Sequence, residues 1–221
     1  MRAFVPTRSH GHVTIRPIRL RDARELEALL LSNREWLERW EATSPGARGR
    51  WDVRAGIRSL LDQAADRTAL PFVIECDGAM AGQLTVSGMA YGALSSAALG
   101  YWVGRAFAGR ALAPTATALA TDYCLHELGL HRMEICIRPE NERSLRVVQK
   151  LGFRYEGLRR RYIHIDGDWR DHFCFAVVRE EVPLGVLGRW TDGRADASAA
   201  AIPEHDRQSA GLPFRGGGWQ R

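Results

Sequence analysis

The sequence predicts an α/β (α+β) fold, a mixed and mostly antiparallel sheet of about seven strands flanked by helices in one domain. Three observations predict it. Strand-like and helical periodicities follow one another as β-α-α-α-β-β-β-α-β-α-β-β, an order that a doubly wound parallel sheet does not give. Two Asp-Gly dipeptides, Asp77-Gly78 and Asp166-Gly167, each sit between strand-like runs and favour the positive φ angles of tight hairpins. The chain of 221 residues is 45% hydrophobic and 26% charged, enough to bury a core without disulfides or a structural metal.

Residues 13–18 (V-T-I-R-P-I) read as the first strand, and Asp22 is the expected N-cap of a helix with Ala23, Leu26, Leu29 and Leu30 at helical spacing. Residues 33–41 (N-R-E-W-L-E-R-W-E) read as a second helix, ended by Ser44-Pro45-Gly46, and residues 53–65 as a third with Ile57, Leu60 and Leu61 aligned. Residues 71–76 and 82–89 pair across the first Asp-Gly, and residues 95–103 add a third strand. Gly104 and Gly109 break the pattern before residues 112–128 resume as a helix with Pro114 in its first turn. A strand at 131–138, a short helix at 141–151 stopped by Gly152, and a long hairpin of 153–165 with 169–178 complete the domain. Residues 1–12 are expected to be flexible and 13–190 to form the domain. Residues 191–221, rich in Ala, Ser, Gly, Pro and charge, offer too little apolar surface to offset ordering entropy and are expected to be disordered.

The formal charge is +5, from 31 basic and 26 acidic residues, and every basic residue but Lys150 is arginine. So small an excess does not make nucleic-acid binding the primary activity. Cys76, Cys124, Cys136 and Cys174 show no CxxC pair and no His/Cys cluster, so no metal is expected, and they read as core thiols in a reducing compartment. Residues 1–12 hold no apolar secretory segment and no run of about 18 apolar residues occurs, so a soluble cytoplasmic protein without a membrane partner is expected.

Chemistry concentrates in two segments. In L-G-Y-W-V-G-R-A-F-A-G-R-A-L-A-P-T, residues 99–115, a strand leads through small residues into a helix start. Such a turn either exposes backbone N–H groups to a phosphate or packs a small-residue helix closely on a sheet. The second segment is P-E-N-E-R-S-L-R-V-V-Q-K-L-G-F-R-Y-E-G, residues 139–157, in which Asn141 suits a helix N-cap as well as a ligand contact.

Together with Gly109-Arg110-Ala111, this segment resembles the GNAT acetyltransferase superfamily over roughly residues 13–180. Within it, R-E-W-L-E-R-W-E and I-D-G-D-W-R-D-H are similar to the RimJ-like ribosomal-protein-alanine N-acetyltransferases. The resemblance implies a splayed sheet that admits acetyl-CoA, with no metal. It implies that Ala108, Gly109, Arg110, Ala111, Leu112 and Ala113 hold the pyrophosphate and that Tyr101, Trp102 and Val103 lie along the pantetheine. Asn141 would bind the pantetheine arm or acetyl region, and Ser144, near the sulfur, would protonate the departing thiolate. The family loop usually reads Q-G-K-G-L; here A-G-R-A-L stands in its place, whose alanines keep the loop small but do not take positive φ readily, while Arg110 offers charge to a phosphate.

No Asp or Glu occurs from Gly78 through Thr121, so no carboxylate base comes from the third or fourth strand, and water could serve as the relay. Glu134 joins Asn141 and Ser144 in the expected catalytic set, beside Glu140, Glu142, His164, Asp166, Asp168, Asp171 and His172 as other candidates. An unperturbed α-amine titrates at about 7.7–8.0 against about 10.4 for lysine, so an N-terminal acceptor demands less of a base. Trp36, Trp40 and Trp51 read on their own as core aromatics. The resemblance instead places their region over the acceptor groove, so Trp36, Trp40, His164 and His172 are the expected acceptor contacts. Arg159, Arg160 and Arg161 read as a solvated face or a surface for ribosomal RNA or acidic protein, and strand alternation keeps all three off one face. The expected function is direct transfer of acetyl to a protein N-terminus, that of a ribosomal protein, in a ternary complex on a monomer or homodimer. A small-amine acceptor, such as an antibiotic or polyamine, and a catalytically weak acyl-CoA-binding or ribosome-associated module are the alternatives.

Overall fold

Residues 5–45 and 52–212 are described by the structure, a computed structural model. Eight strands, β1 (Arg8–His10), β2 (Val13–Pro17), β3 (Leu70–Cys76), β4 (Ala79–Ala90), β5 (Ser96–Val103), β6 (Arg132–Ile137), β7 (Arg154–Ile165) and β8 (Asp168–Val178), form one sheet. Its order is β1-β2-β3-β4-β5-β6-β8-β7, antiparallel throughout except for the parallel β5–β6 pair. Both Asp-Gly turns form as expected, with φ of 50° and 82° at Asp77-Gly78 and 50° and 76° at Asp166-Gly167. Positive φ at both central positions matches the twist of the flanking strands.

The helices are α1 (Ala23–Ser32), α2 (Arg34–Leu37), α3 (Val53–Ala65), α4 (Leu112–Asp122), α5 (Glu142–Leu151), α6 (Val186–Thr191) and α7 (Glu204–Ser209), and α4 runs on into a π-helical turn at Tyr123–Glu127. The pleat of β3 explains the layering. Phe72 and Ile74 enter a large core with Leu119 of α4 and Leu145 and Val148 of α5, whereas Val73 faces a second core with Leu26 of α1 and Ile57 of α3. Helices therefore cover both faces of the sheet. Among the described residues no helix is long and apolar enough to cross a membrane.

Several expectations need correction. The sheet begins at residue 8, not 13, because Gly11 with φ 57° folds β1 back onto β2. Asp22 does not cap α1 with its side chain; the buried carboxylate accepts from the Arg19 amide and the Arg16 guanidinium, each at 2.7 Å. The helix expected over 33–41 is regular only at α2. Asn33 interrupts it, donating to Leu29 O at 2.8 Å and accepting from the Arg105 amide at 2.7 Å, which ties the α1–α2 break to the loop after β5.

The segment after residue 191 is ordered through residue 212. Ala200 and Ile202 enter the large core, Tyr155 Oη donates to Asp206 at 2.7 Å, and the Gly211 amide donates to Asp171 at 3.0 Å. Few anchors suffice because most of the segment follows the surface and leaves its polar groups in water. Its last stretch, 213–221, lies outside the described residues, as do residues 1–4 and 46–51. Ile202→Ala should lower unfolding stability by about 2 kcal/mol, read as a lower urea midpoint at constant slope; an unchanged midpoint would mean the segment is not docked.

Candidate active site

β5 and β6 pair through only Ser96↔Arg132, Ala97↔Met133 and Ala98↔Glu134. Beyond Ala98 they part, which leaves the β6-facing edge of residues 99–103 without a strand partner. The cleft holds two cavities, of about 500 and 580 Å³. Leu37, Trp40, Tyr101, Trp102, Asn141 and Ser144 line both, so the two meet there.

The larger cavity runs from Val103 past Ala108, Gly109 and the first turn of α4 to one face of α5. Gly109 has φ +83° and a Cβ built there would meet nothing within 4 Å, so backbone freedom rather than crowding selects glycine. Ala111, at φ 58° and ψ 16°, is left-handed without being glycine, at a cost of roughly 1–2 kcal/mol. It is held because its carbonyl starts α4, accepting from the Thr115 amide at 3.1 Å and the Thr115 hydroxyl at 2.8 Å. The amides of Gly109, Arg110, Ala111, Leu112 and Ala113 have no acceptor among the described residues. A run of open N–H groups at a helix N-terminus suits a pyrophosphate. Arg143, Arg146 and Lys150 line the same cavity from α5 at spacings of three and four, so they share a helix face and add positive charge. The sequence reading missed these three; their spacing beside the small-residue loop was the available signal.

At the junction, Asn141 Oδ1 accepts from the Ser144 amide at 3.2 Å, and Tyr101 Oη lies 2.8 Å from Ser144 Oγ. Burial pushes the Tyr101 phenol well above its ordinary value, so it stays protonated and can donate to Ser144. The cap expected of Asn141 is present and leaves its amide nitrogen for other contacts.

The smaller cavity is walled by Gln83 and Thr85 of β4, Ile135, Cys136 and Ile137 of β6, Tyr162, Ile163 and Ile165 of β7, and His172 of β8. His172 is 2% exposed, and burial lowers its pKa, so the ring is neutral. Its Nδ1 lies 2.9 Å from Arg170 O, an acceptor only, so Nδ1 carries the proton. Nε2 therefore keeps a lone pair, with no partner among the described residues.

Other expected site residues are placed differently. Glu134 is gripped by Arg159 at 2.6 and 2.8 Å and by Arg132 at 2.9 Å, and lines neither cavity. Burial alone would raise its pKa, but these bonds outweigh it and leave the carboxyl lowered, a poor base. Arg110 turns away from the loop to Asp77 at 3.2 Å, while His12 Nε2 contacts its carbonyl at 3.0 Å. His164 bonds Thr43 through Nδ1 at 2.7 Å and pins residues 42–43 to β7 instead of lining a cavity. Trp36 and Trp40 are half-buried and outside both cores. Trp36 lines the larger cavity, its Nε1 donating to Val103 O at 3.1 Å and its ring 4.1 Å from the Arg143 guanidinium, so it belongs with the loop side and not the acceptor side. Trp40 lines both cavities, and Trp51 lies outside the described residues. Glu140 and Glu142 line the larger cavity only, and Asp166, Asp168 and Asp171 line neither. The arginine cluster dissolves into ion pairs, Arg159 with Glu134 and Arg160 with Asp171 at 2.9 Å, and Arg161 at φ 46° sits in a bulge.

The family model for the acetyltransferase (GNAT) domain matches residues 12–154. The chain belongs to the GNAT acetyltransferase family. It is 30% identical over 175 residues to a probable N-acetyltransferase, YjcK, of Bacillus subtilis, covering 76% of this chain and 95% of that one. It is 26% identical over 185 residues to the ribosomal protein uS5-alanine N-acetyltransferase of Escherichia coli, covering 82% and 91%. Mycobacterium smegmatis RimJ, solved in complex with CoA-disulfide, superposes with a TM-score of 0.76 at 40% identity, covering 83% of this chain and 90% of that one. The GNAT fold is thus shown, and the chain is an N-acetyltransferase of that family.

Two outcomes test the site's physics. Ala111→Gly should raise stability by about 0.5–1 kcal/mol, the relieved strain less the greater unfolded-state entropy, as a higher urea midpoint. Because the folded pKa of His172 lies below its unfolded value, the unfolded chain binds more protons as pH falls below about 6.5, so stability declines there. His172→Gln should flatten that part of the stability profile; an unchanged slope would show that His172 does not titrate on unfolding.

Proposed function

We propose that this GNAT enzyme transfers acetyl from acetyl-CoA to the N-terminal α-amine of a protein, a ribosomal protein beginning with alanine or another small residue. The meeting of the two cavities at Tyr101, Asn141 and Ser144 carries this reading. One cavity offers open amides and cations, which fit the pyrophosphate of acetyl-CoA; the other is largely apolar and ends on a neutral imidazole. The lining favours a small N-terminal residue over a polyamine, since Glu41 is the only carboxylate among its lining residues and Arg138 opposes it with positive charge.

The chain's own groups supply the proton path. His172 Nε2 accepts the proton of the attacking amine, directly or through water, and Ser144, backed by the Tyr101 hydroxyl, donates to the departing sulfur. Asn141 fixes Ser144 by capping α5. The amine attacks the thioester carbonyl within the ternary complex, without a covalent enzyme intermediate.

The test is incubation with acetyl-CoA and peptides beginning Ala, Ser or Met, a peptide with only a lysine amine, and spermidine, reading mass gain and thiol release. Acetyl should appear on N-terminal amines alone, and Ser144→Ala and His172→Gln should each lower kcat about a hundredfold in folded protein. For the Ala peptide, kcat/KM should rise with pH to a plateau near about 8, where the α-amine loses its proton, with the plateau lowered in His172→Gln. Acetylated spermidine alone would move the enzyme to small amines. Acetyl-CoA binding without any acetylated product, even with whole ribosomal proteins as acceptors, would make it a binding module.

A further inference from the structure

Cys136 and Cys174 are 38 positions apart in sequence yet directly opposed on β6 and β8, with their Sγ atoms 3.1 Å apart. The described cysteines are all reduced, and Cys136 alone among them lines either of the two cavities described above. Glu134 completes a three-group cluster that has the makings of a metal site. A cation already fills that role. The Arg159 guanidinium donates to both Glu134 oxygens, at 2.6 and 2.8 Å, and reaches Cys136 Sγ at 3.7 Å, so the carboxylate is committed and positive charge sits beside the sulfurs. That placement disfavours a metal ion, and although the Cys136 thiol donates to Glu134 Oε1 at 3.4 Å, the Arg159 charge favours a thiolate on Cys174.

We propose that Cys136 and Cys174 form a reversible oxidation site, a cross-strand dithiol that a low-molecular-weight disulfide closes to an intramolecular disulfide. Cys136 reacts first because it faces the cavity. Its thiolate attacks one sulfur of the incoming disulfide, the reagent S–S bond breaks, and the released thiolate takes up the proton that Cys136 gave. The Cys174 sulfur, 3.1 Å away, then attacks Cys136 Sγ and expels the second thiolate, which carries off the Cys174 proton. Two protein thiols are oxidised and one disulfide is reduced to two thiols.

Access sets the first step and the electrostatics suit the second. Hydrogen bonding between the sulfurs raises Cys136 and lowers Cys174, so exposure to the cavity rather than acidity makes Cys136 the attacking sulfur, and the more acidic Cys174 is suited to resolve the mixed disulfide. Cys124, by contrast, is pushed up to about 12 by burial alone, and burial also raises Cys76. Opposed residues on antiparallel strands hold their Cβ atoms about 4.5–5.5 Å apart, whereas a relaxed disulfide needs about 3.5–4.5 Å. The bridge is therefore of the readily reduced, switchable kind, and closing it removes a thiol from the cavity wall.

The native full-length protein is treated with bis(2-hydroxyethyl) disulfide, remaining thiols are alkylated, and the digest is read by mass spectrometry. The expected result is loss of two alkylatable thiols, a Cys136–Cys174 crosslinked peptide, unmodified Cys76 and Cys124, and full reversal by dithiothreitol. Cys174→Ser should stop at a mercaptoethanol adduct on Cys136, and Arg159→Gln should slow closure several-fold, with folding of each variant checked by circular dichroism. A stable adduct in the wild type, two thiols that stay alkylatable, or protection of both by added Zn²⁺ would overturn the proposal. The readout is mass, so it is independent of whether the acetyl-transfer reading holds.

Discussion

Everything at the site depends on the parting of β5 and β6 after three residue pairs. A parallel pair that continued would have consumed the backbone groups of residues 99–103 and closed the sheet. Because the strands diverge, one sheet supplies two walls and a cleft between them, with Tyr101 and Trp102 on one wall and Ile135 to Arg138 on the other. The π turn after α4, whose Cys124 carbonyl accepts from the Leu130 amide at 2.9 Å, delivers the chain to the start of β6. Divergence is thus offset by packing elsewhere, chiefly the burial of α4 against the sheet.

That geometry sorts the titratable groups. Two carboxylates near the cleft are committed to guanidinium partners, Glu134 to Arg159 and Arg132, and Glu140 to Arg138 at 3.2 Å. Among the titratable groups that line the smaller cavity, the neutral imidazole of His172 keeps a ring nitrogen with no partner in the described residues. The mostly apolar walls keep that imidazole neutral at rest, the form in which its free nitrogen has a lone pair.

Local features were legible in the sequence because they are decided within a few residues. The two Asp-Gly turns, the Asn141 cap and the Gly152 stop of α5 each follow from backbone φ preferences or one side-chain hydrogen bond, and all appear where expected. The loop at 108–113 was legible too, apart from Ala111, whose positive φ is imposed by the docking of α4 rather than by its own preference. What was not legible depends on partners distant in sequence. Arg110 was expected on phosphate but meets Asp77, Glu134 was expected as a base but meets Arg159, and the 197–212 segment docks through Ile202 and Asp206. The Cys136–Cys174 contact exists only through the β6–β8 register.

Helix α5 joins the two scales. Its buried stripe, Leu145, Val147, Val148 and Leu151, fixes its rotation on the sheet, so the exposed stripe cannot choose its direction. That rotation places Ser144 at the cavity junction and Arg143, Arg146 and Lys150 along the larger cavity. At about 1.5 Å per residue the helix separates Ser144 from Lys150 by about 9 Å along its axis. One rigid element thus sets the spacing between a hydroxyl suited to a reacting sulfur and a cation suited to a phosphate, which is the separation of functions that an elongated thioester such as the proposed donor presents. Loss of packing under α5 would therefore disturb both ends together, whereas changing one exposed cation would disturb only the anionic end.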